Sequence, residues 1–328
     1  MNNPILTILV PTYNRANYLS SLLKTLVLEL HGLETRVRVI VADNASNDQT
    51  AKVIDAFINE YPNTLILRHT ENIGPDENFC RCIENVQSKY FWLIGDDDLP
   101  KANLIRRIVN LLEQGDYDII YMNSEWLSDI ASARDDKADL SITVKMLSRE
   151  NFARKVNVWA TFISCMVINL ERLHVTNPDI NIRRFSGTQL VQLGWVLPLL
   201  MHGMRFCYIK QKCILATLNN TYNYDVVTVF GKNFIEIVQN ICGKNSTIYN
   251  SIIKILIWCL LPNLIWKSRF EMKGNFFDEN QIKILKKYKS KLVYWILFLP
   301  IQKFPKPIAF IFYLFSKILW KTNKLINN

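Results

Sequence analysis

The first 125 residues alternate short apolar segments with amphipathic ones, and this alternation restricts the fold more than any other feature. The apolar segments of strand length lie at 5–10, 36–42, 64–68, 90–94 and 118–123. The segments predicted to be helical lie between them, at 16–30, 49–60, 76–87 and 99–112. Strands that alternate with helices form a mostly parallel sheet with helices on both faces, so the predicted fold class is α/β.

A polar loop follows each of the first four predicted strands. The loops read PTYNR at 11–15, VADNASNDQT at 41–50, NIGPDEN at 72–78 and GDDD at 95–98. Parallel connections bring the carboxyl ends of strands to one edge of the sheet, which is where open α/β sheets bind ligands. We therefore expect the four loops to surround one ligand.

The fourth loop holds three consecutive aspartates, Asp96, Asp97 and Asp98, directly after the apolar run 90–94 and Gly95. Carboxylates this close raise one another's pKa unless a cation neutralises them. Their hard oxygens suit Mg²⁺ or Mn²⁺, ions that proteins bind with one or two carboxylates plus substrate phosphates. A solvated surface turn is the alternative, but the apolar run before the triplet favours a metal site.

Together the four loops resemble those of family 2 glycosyltransferases, which have the Rossmann-like GT-A fold. The resemblance covers residues 5–125, and the motifs occur in the family's order and spacing. The pattern at 91–98 also looks like the abequosyltransferase-type branch of that family. The resemblance implies an inverting, metal-dependent enzyme that takes a sugar from a nucleotide-sugar donor.

The resemblance also assigns roles to individual residues. The predicted nucleotide-sugar pocket comprises Pro11, Thr12, Tyr13, Arg15, Asp43, Asn72, Gly74 and Asp96. Within it Asp43 accepts hydrogen bonds from the nucleobase and Asp96 reaches the ribose. Asp97, with Asp98, holds the metal that bridges the diphosphate and neutralises the leaving group. Asp43 and Asp48 can also cap the helix predicted at 49–60, and capping is compatible with ligand binding.

An inverting transfer needs a base that takes the proton of the acceptor hydroxyl. The resemblance implies an Asp or Glu in the segment 185–192, which contains no carboxylate. The catalytic base is therefore unassigned, and Asp179, Asp225 and His202 are the candidates. The arginine pair 183–184 either contacts a phosphate or is solvated.

Beyond residue 125 the pattern is less regular. The polar stretch 128–141 is predicted to be a loop, whereas strands near 163–168 and 205–209 and a helix at 189–202 extend the sheet. We place a glycosyltransferase domain at 1–230, with a nucleotide-binding half (1–125) and an acceptor half (126–230). A helical, membrane-associating C-terminal region follows at 231–328.

The chain carries a net charge of +10, and its lysines are dense after residue 267, between many aromatic residues. This mixture is typical of a segment that binds an anionic membrane surface. Single-strand nucleic-acid binders share it, but the aliphatic blocks favour lipid; a plain helical core is the other alternative. The stretch 292–319 is interrupted by charges and prolines, so no segment is predicted to span a bilayer.

No signal peptide is predicted, and the seven scattered cysteines fit a reducing cytoplasm. The predicted function is transfer of a sugar onto a polyprenyl-diphosphate-linked saccharide of a surface polysaccharide such as O-antigen or capsule. The predicted place is the cytoplasmic face of the inner membrane, with no nucleic-acid partner. Two other classes stay open. One is a nucleotidyltransferase, which should carry a glycine-rich phosphate loop, but the loop 11–15 contains no glycine. The other is a non-catalytic nucleotide- or glycan-binding protein, which would need no catalytic base.

Overall fold

The computed structural model describes residues 4–128, 142–217, 225–271 and 278–327. The loop predicted at 128–141 lies outside these residues, apart from Ser128. The chain divides into two compact units, one of Met1–Arg149 with Thr161–Asn220 and one of Glu150–Ala160 with Thr221–Asn328. The second unit resumes after residue 220, whereas the sequence predicts a boundary after residue 230. The segment 150–160 also belongs to the second unit.

A nine-stranded mixed sheet forms the core of the first unit, in the order β3-β2-β1-β4-β8-β6-β9-β5, with β7 also on β9. The strands are β1 (Leu6–Thr12), β2 (Val37–Asp43), β3 (Thr64–Arg68), β4 (Tyr90–Leu93), β5 (Leu99–Pro100), β6 (Ile119–Leu127), β7 (Val144–Leu147), β8 (Met166–Asn169) and β9 (Phe206–Thr217). Strands β1 to β4 are parallel, whereas β8 runs antiparallel to both β4 and β6. The α/β fold is thus confirmed, and the sheet is mixed from β8 onwards.

Seven helices connect these strands within the described residues. They are α1 (Ala16–Leu30), α2 (Thr50–Glu60), α3 (Pro75–Glu84), α4 (Leu104–Gln114), α5 (Arg149–Val156), α6 (Leu170–Thr176) and α7 (Leu193–His202). The helix predicted to start at 99 starts at Leu104 instead, because Leu99 and Pro100 pair with β9 as strand β5. Asn103 adopts the left-handed backbone conformation, at φ 62°, directly before α4 begins.

Strand β4 is almost fully buried. Its residues Tyr90, Phe91 and Trp92 are each at most 1% exposed. The indole of Trp92 donates a hydrogen bond of 2.9 Å to the carbonyl oxygen of Ser164, so its one polar atom is satisfied in the core. Because aromatic side chains fix β4 on both faces, the aspartates that follow it leave a rigid strand.

Asp116, shortly before β6, is the centre of a polar network. Its carboxylate pairs with Lys89 at 2.8 Å and with Arg172 at 2.9 Å. The hydrogen bond from Lys89 is the largest of the causes that hold the pKa of Asp116 at about 2, below its ordinary 3.8. The ionised carboxylate is therefore favoured in the folded protein.

We expect Asp116→Asn to lower the free energy of unfolding by about 1 kcal/mol at pH 7, the upper end for partly exposed ion pairs. A depressed pKa stabilises the fold above the pKa of the unfolded state, and that stabilisation disappears as the pH falls through the folded value. The difference from wild type should therefore shrink between pH 3.8 and about 2. Urea titrations at pH 7, 4 and 3 measure it, and a constant difference would contradict the assignment.

The second unit is helical. After α5 its helices are α8 (Val226–Thr228), α9 (Phe234–Cys242), α10 (Thr247–Ile255), α11 (Leu261–Phe270), α12 (Glu279–Lys286), α13 (Leu299–Lys303) and α14 (Lys306–Asn327), with π-helical turns at Val229–Asn233, Leu256–Leu260 and Tyr294–Phe298. The π turn before α11 carries the helix past Pro262, which has no N–H to donate.

The continuous helical run Thr247–Phe270 is long and apolar enough to cross a membrane, by length and composition alone. This corrects the expectation that no segment meets those criteria, because the π turn joins two shorter apolar pieces into one helix. In its most apolar window 61% of the residues are buried within the protein, and the core helix of a soluble protein passes the same test.

Candidate functional site

The first two polar loops are joined to each other by hydrogen bonds. The amide of Asn14 donates to the hydroxyl of Ser46 at 2.9 Å, and the amide of Asn47 donates to the side-chain oxygen of Asn14 at 2.8 Å. Asp48 accepts from the amide of Ala16 at 3.1 Å and from that of Thr50 at 2.9 Å. This carboxylate thus satisfies amides at the starts of two helices, and the predicted capping role of Asp48 is present.

Asn44 joins the second loop to the third. Its side chain donates to Asn72 Oδ1 at 2.9 Å and accepts from the amide of Ile73 at 2.9 Å. Gly74 adopts φ 82°, a conformation that favours glycine, and its amide donates to the same Asn72 oxygen. Asn72 and Gly74 therefore fold the loop, and their predicted contact with the donor stays a prediction.

The strand register brings the acidic triplet to the same edge as these loops. Thr12 at the end of β1 lies beside Asp43 at the end of β2. The hydroxyl of Thr12 donates to Asp96 Oδ2 at 2.7 Å. Arg15 bridges two members of the triplet, with its Nη1 3.0 Å from Asp96 Oδ1 and 3.1 Å from Asp97 Oδ2. The prediction that these loops meet at one edge is confirmed for the first, second and fourth loops by these contacts.

All three aspartates are buried, at 4%, 7% and 5% exposure for Asp96, Asp97 and Asp98. The solvated surface turn considered as an alternative is therefore wrong. Burial is the main cause that raises the pKa of Asp96 to about 6, against the opposing charge of Arg15. Burial, followed by the charge of Asp97, raises the pKa of Asp98 to about 8. One guanidinium does not neutralise three buried carboxyl groups, so the cluster favours a further cation.

Two residues that the sequence did not single out hold the triplet in place. The hydroxyl of Ser164 donates to Asp98 Oδ2 and accepts from the amide of Gly95 at 2.9 Å. The hydroxyl of Thr217, at the end of β9, donates to the carbonyl oxygen of Asp97 at 3.0 Å. Ser164 lies in a 3₁₀ turn just before β8, and Thr217 ends β9, so only the strand order reveals them; a lone polar residue in an apolar segment was the available signal.

The carboxylates of the triplet leave a space that suits a divalent cation. A Cβ atom at Gly95 would lie 3.1 Å from Asp97 Oδ1 and 3.2 Å from Asp98 Oδ2, so glycine keeps the space between the two carboxylates open. Within the described residues Asp97 Oδ1 makes no hydrogen bond or ion pair. No cluster of three or more His, Cys, Asp or Glu side chains forms a complete metal cage there. These hard oxygens fit Mg²⁺ or Mn²⁺ with the remaining ligands supplied by a phosphorylated substrate.

The residues expected near the nucleoside lie at the same edge. Asp43 is 5% exposed, and its Oδ1 accepts from the amide of Ser46 at 3.0 Å. Pro11 is buried in β1, whereas the ring of Tyr13 is 41% exposed. The structure therefore brings Pro11, Thr12, Tyr13, Arg15 and Asp43 together beside the triplet.

The three candidates for the catalytic base occupy different positions. His202 ends α7 before β9 begins, which is the sheet edge opposite to the triplet, so the topology argues against it. Asp225 caps α8 in the second unit, where it accepts from the amides of Val227 and Thr228. Asp179 is exposed in a turn after α6. Neither Asp179 nor His202 makes a hydrogen bond or ion pair with the triplet in the described part of the chain.

The segment 185–192, which lacks a carboxylate of its own, receives two from α3. Asp76 accepts from the amide of Gln189 at 2.9 Å, and burial raises the pKa of Asp76. Glu77 accepts from the hydroxyl of Ser186 and pairs with Arg183 at 2.9 Å. Arg183 is therefore fixed to α3 with its side chain 34% exposed, and its predicted contact with a phosphate stays a prediction.

Residues 7–168 match the family model described as "Glycosyl transferase family 2". They form a family 2 glycosyltransferase domain. This domain contains all four polar loops, the acidic triplet and Ser164. The recognition of the family from the loops is thereby confirmed.

Curated relatives are similar over about a third of this chain. The abequosyltransferase RfbV of Salmonella typhimurium is 34% identical over 102 residues, which are 30% of this chain and 30% of that protein. The minor teichoic acid biosynthesis protein GgaA of Bacillus subtilis is 27% identical over 104 residues, 31% of this chain and 23% of that protein. The chain therefore spans less than a third of either relative, and the first match agrees with the abequosyltransferase-type resemblance.

Solved structures extend the likeness of fold to nearly the whole chain. The S. aureus TarS 1-349 structure covers 97% of this chain and 91% of its own, with a TM-score of 0.60 and 14% identity. The mannosyltransferase PcManGT from Pyrobaculum calidifontis, solved with GDP-Man and Mn²⁺, covers 98% and 88%, with a TM-score of 0.52 and 14% identity. At such identities the likeness concerns the fold.

Proposed function

We propose that the chain is an inverting, metal-dependent glycosyltransferase that acts in the biosynthesis of a cell-surface glycan. The donor is a nucleotide-sugar, and the acceptor is a saccharide linked to a polyprenyl diphosphate at the cytoplasmic face of the inner membrane. The observation that carries the proposal is the buried Asp96–Asp98 triplet, bridged by Arg15 at the carboxyl edge of a family 2 domain. The abequosyltransferase and teichoic acid relatives support the glycan class.

The residues of this edge divide the work of holding the donor. Thr12 and Arg15 fix both oxygens of Asp96, so its remaining lone pairs have a defined direction for the ribose hydroxyls. Asp97 keeps Oδ1 for a metal, and Asp98 is turned towards Ser164. Arg15 is 40% exposed, and its positive charge at this edge attracts an anionic diphosphate.

Bond breakage at the donor moves negative charge onto the leaving nucleoside diphosphate. When bound, Mg²⁺ or Mn²⁺ supplies Lewis-acid stabilisation of that charge. Arg15 contributes a fixed positive charge at the same place. The acceptor hydroxyl attacks the anomeric carbon from the face opposite to the diphosphate, loses its proton to a base, and leaves the product with inverted configuration.

A donor panel tests this proposal. Purified protein is incubated with UDP-, GDP-, CDP- and dTDP-sugars, with Mn²⁺ or with EDTA, and the nucleotide products are separated. We expect release of a nucleoside diphosphate from at least one donor, only with metal, and inverted configuration by NMR once a sugar acceptor is supplied. Release of pyrophosphate would identify a nucleotidyltransferase, and saturable binding without any product would identify a non-catalytic binding protein.

Helix α14 supports the membrane part of the proposal. Its side chains at 309 and 316 are buried, whereas the opposite side carries exposed apolar residues at helical spacing. These exposed residues are Ile308 (46%), Ile311 (64%), Leu314 (43%), Phe315 (44%) and Ile318 (57%). Lys306, Lys317 and Lys321 lie on the flank of this stripe and are exposed. An apolar stripe with basic flanks is the arrangement of helices that lie in the interface of an anionic membrane.

We expect the double variant Ile311→Asp and Phe315→Asp to lower binding to phosphatidylglycerol-containing vesicles by at least about tenfold. Burying either side chain is favourable by roughly 1.5–3 kcal/mol, and an added carboxylate is repelled by the anionic surface. Because both residues are exposed, the fold should be retained. Flotation of vesicles with and without the anionic lipid measures the effect.

The matched control is Leu28→Asp, since Leu28 is 79% exposed on α1 in the first unit. It removes a surface apolar residue and adds the same charge outside the stripe, and should leave vesicle binding within twofold of wild type. Equal losses in the control and the double variant would remove the support that α14 gives to membrane association. An unchanged double variant would do the same.

A further inference from the structure

An exposed aromatic pair lies at the same sheet edge as the acidic triplet and has no role in the binding of the donor described above. The rings of Trp126 and Phe162 have centroids 5.0 Å apart and an interplanar angle of 34°. Trp126 is 39% exposed, and Phe162 is half-buried. The pair presents a joined aromatic surface to solvent at the end of β6.

Each of the two aromatic residues is close, in sequence or in strand register, to a residue that hydrogen-bonds with the triplet. Phe162 lies two positions before Ser164, whose hydroxyl donates to Asp98. Trp126 precedes Leu127, the register partner of Thr217, and Thr217 donates to the carbonyl oxygen of Asp97 at 3.0 Å. The position of the aromatic pair relative to the carboxylates is thus fixed from two separate elements.

The strand register gives the distance between the backbones of β6 and β5. Glu125 of β6 is in register with Leu215 of β9, and Leu215 is in register with Leu99 of β5, the residue directly after Asp98. Two strand spacings separate β6 from β5, which is about 10 Å. The backbone that carries Trp126 and the backbone that follows Asp98 are therefore two strands apart.

The alternation of side chains along β6 gives the face. Ser124 interacts with the thiol of Cys165, and Cys165 is close enough to Asp98 for that carboxylate to raise its pKa, after the larger effect of burial. Trp126 is two residues further along the strand and therefore lies on the face of Ser124, whereas Glu125 points to the other face and pairs with Lys101 at 2.8 Å. Trp126 and Ser124 therefore lie on one face of β6, and Glu125 lies on the other.

We propose that Trp126 and Phe162 are a stacking platform for a pyranose ring of the acceptor saccharide, an inference that rests on the proposed function. The face of an aromatic ring is electron-rich and apolar, and it matches the C–H groups on one face of a pyranose while the sugar hydroxyls stay in water. The basic residues nearest in sequence register, Lys101 and Lys212, pair with Glu125 on the opposite face. An apolar aromatic face binds a neutral ring in preference to a phosphate.

Saturation-transfer NMR with a panel of methyl pyranosides of gluco, galacto, manno and rhamno configuration tests the platform. We expect at least one of them to bind wild type and its signal to fall at least about fivefold in Trp126→Ala. Trp126→Phe, which keeps an aromatic face, should retain most of the signal. The control Tyr18→Ala removes a side chain that is 47% exposed on α1 and should change nothing.

Calorimetric binding of UDP and GDP with Mn²⁺ is measured on the same samples. In Trp126→Ala the affinity for the nucleoside diphosphate that binds wild type should stay within twofold, which separates a lost platform from a lost fold. Equal pyranoside signals in wild type and Trp126→Ala, or no signal from any pyranoside with wild type, would overturn the platform. Absence of nucleotide binding in wild type would instead overturn the proposed function, while the pyranoside result still decides the platform.

Discussion

Asp97→Asn is expected to lower sugar transfer by at least about 10²-fold while leaving the protein as stable as wild type or more stable. Asp97 Oδ1 is the carboxylate oxygen left for a metal, and asparagine offers a neutral oxygen in the same place. Loss of one preorganised electrostatic contribution to a transition state typically costs 10²–10³ in kcat. Stability moves the other way because the charge of Asp97 raises the pKa of Asp98, so its removal relieves repulsion between buried groups.

Initial rates with the donor found in the panel, at saturating Mn²⁺, measure the first effect, and thermal unfolding without metal measures the second. The matched control is Asp55→Asn, because Asp55 is a surface carboxylate that pairs with Arg68 and is 61% exposed. It should alter neither the rate nor the midpoint by more than the error. If Asp97→Asn lowered the unfolding midpoint so far that loss of folded protein explained the loss of rate, Asp97 would be a structural residue.

The nucleotide-binding half was predictable because its local signals agree with one another. The strand predicted at 64–68 is β3 without change, and the helix predicted at 16–30 is α1. Helix α1 buries Leu19, Leu22, Leu23, Leu26 and Leu30, the spacing of one helical face. Since β1 to β4 are parallel, the carboxyl-edge argument holds for the loops that follow them.

The acceptor half was harder to predict because its pairings are non-local. Strand β8 comes late in the chain, yet it lies antiparallel between β4 and β6. Strand β5 has only two residues, Leu99 and Pro100, and a helical pattern continues through them. No local signal distinguishes such a strand from the first turn of a helix, so the start of α4 was placed too early.

The residues of the site divide in the same way into predictable and unpredictable ones. The identity of the four loops was contained in contiguous sequence, whereas the hydrogen bonds that hold them were not. Arg15 was placed in the nucleotide pocket but pairs with Asp96 and Asp97. Ser164 and Thr217 reach the triplet only because β8 and β9 enter the sheet near β4 and β5. A base expected in 185–192 was absent from that segment, and the structure brings Asp76 of α3 to its backbone instead.

Arg15→Met is expected to destabilise the protein by about 1–3 kcal/mol at pH 8, and saturating Mn²⁺ should recover much of the loss. Breaking a fully buried ion pair costs roughly 3–5 kcal/mol, and the lower range applies because Arg15 is 40% exposed. Burial already raises the pKa of Asp96 to about 6 against the charge of Arg15, so removal of that charge raises the pKa further. A raised carboxyl pKa destabilises the fold as the pH rises through it, so the difference from wild type should grow from pH 5 to pH 8.

Arg36→Met is the matched control, because Arg36 pairs with Glu113 at 3.1 Å on the surface of the same unit. It should cost less than about 1 kcal/mol, with no dependence on pH between 5 and 8 and no recovery by Mn²⁺. Denaturant titrations of both variants at pH 5, 6.5 and 8, with and without the metal, separate the two cases. A pH-independent loss in Arg15→Met would mean that Arg15 acts by packing alone. A loss that Mn²⁺ leaves unchanged would mean that the cation does not take over the charge that Arg15 supplies to the triplet.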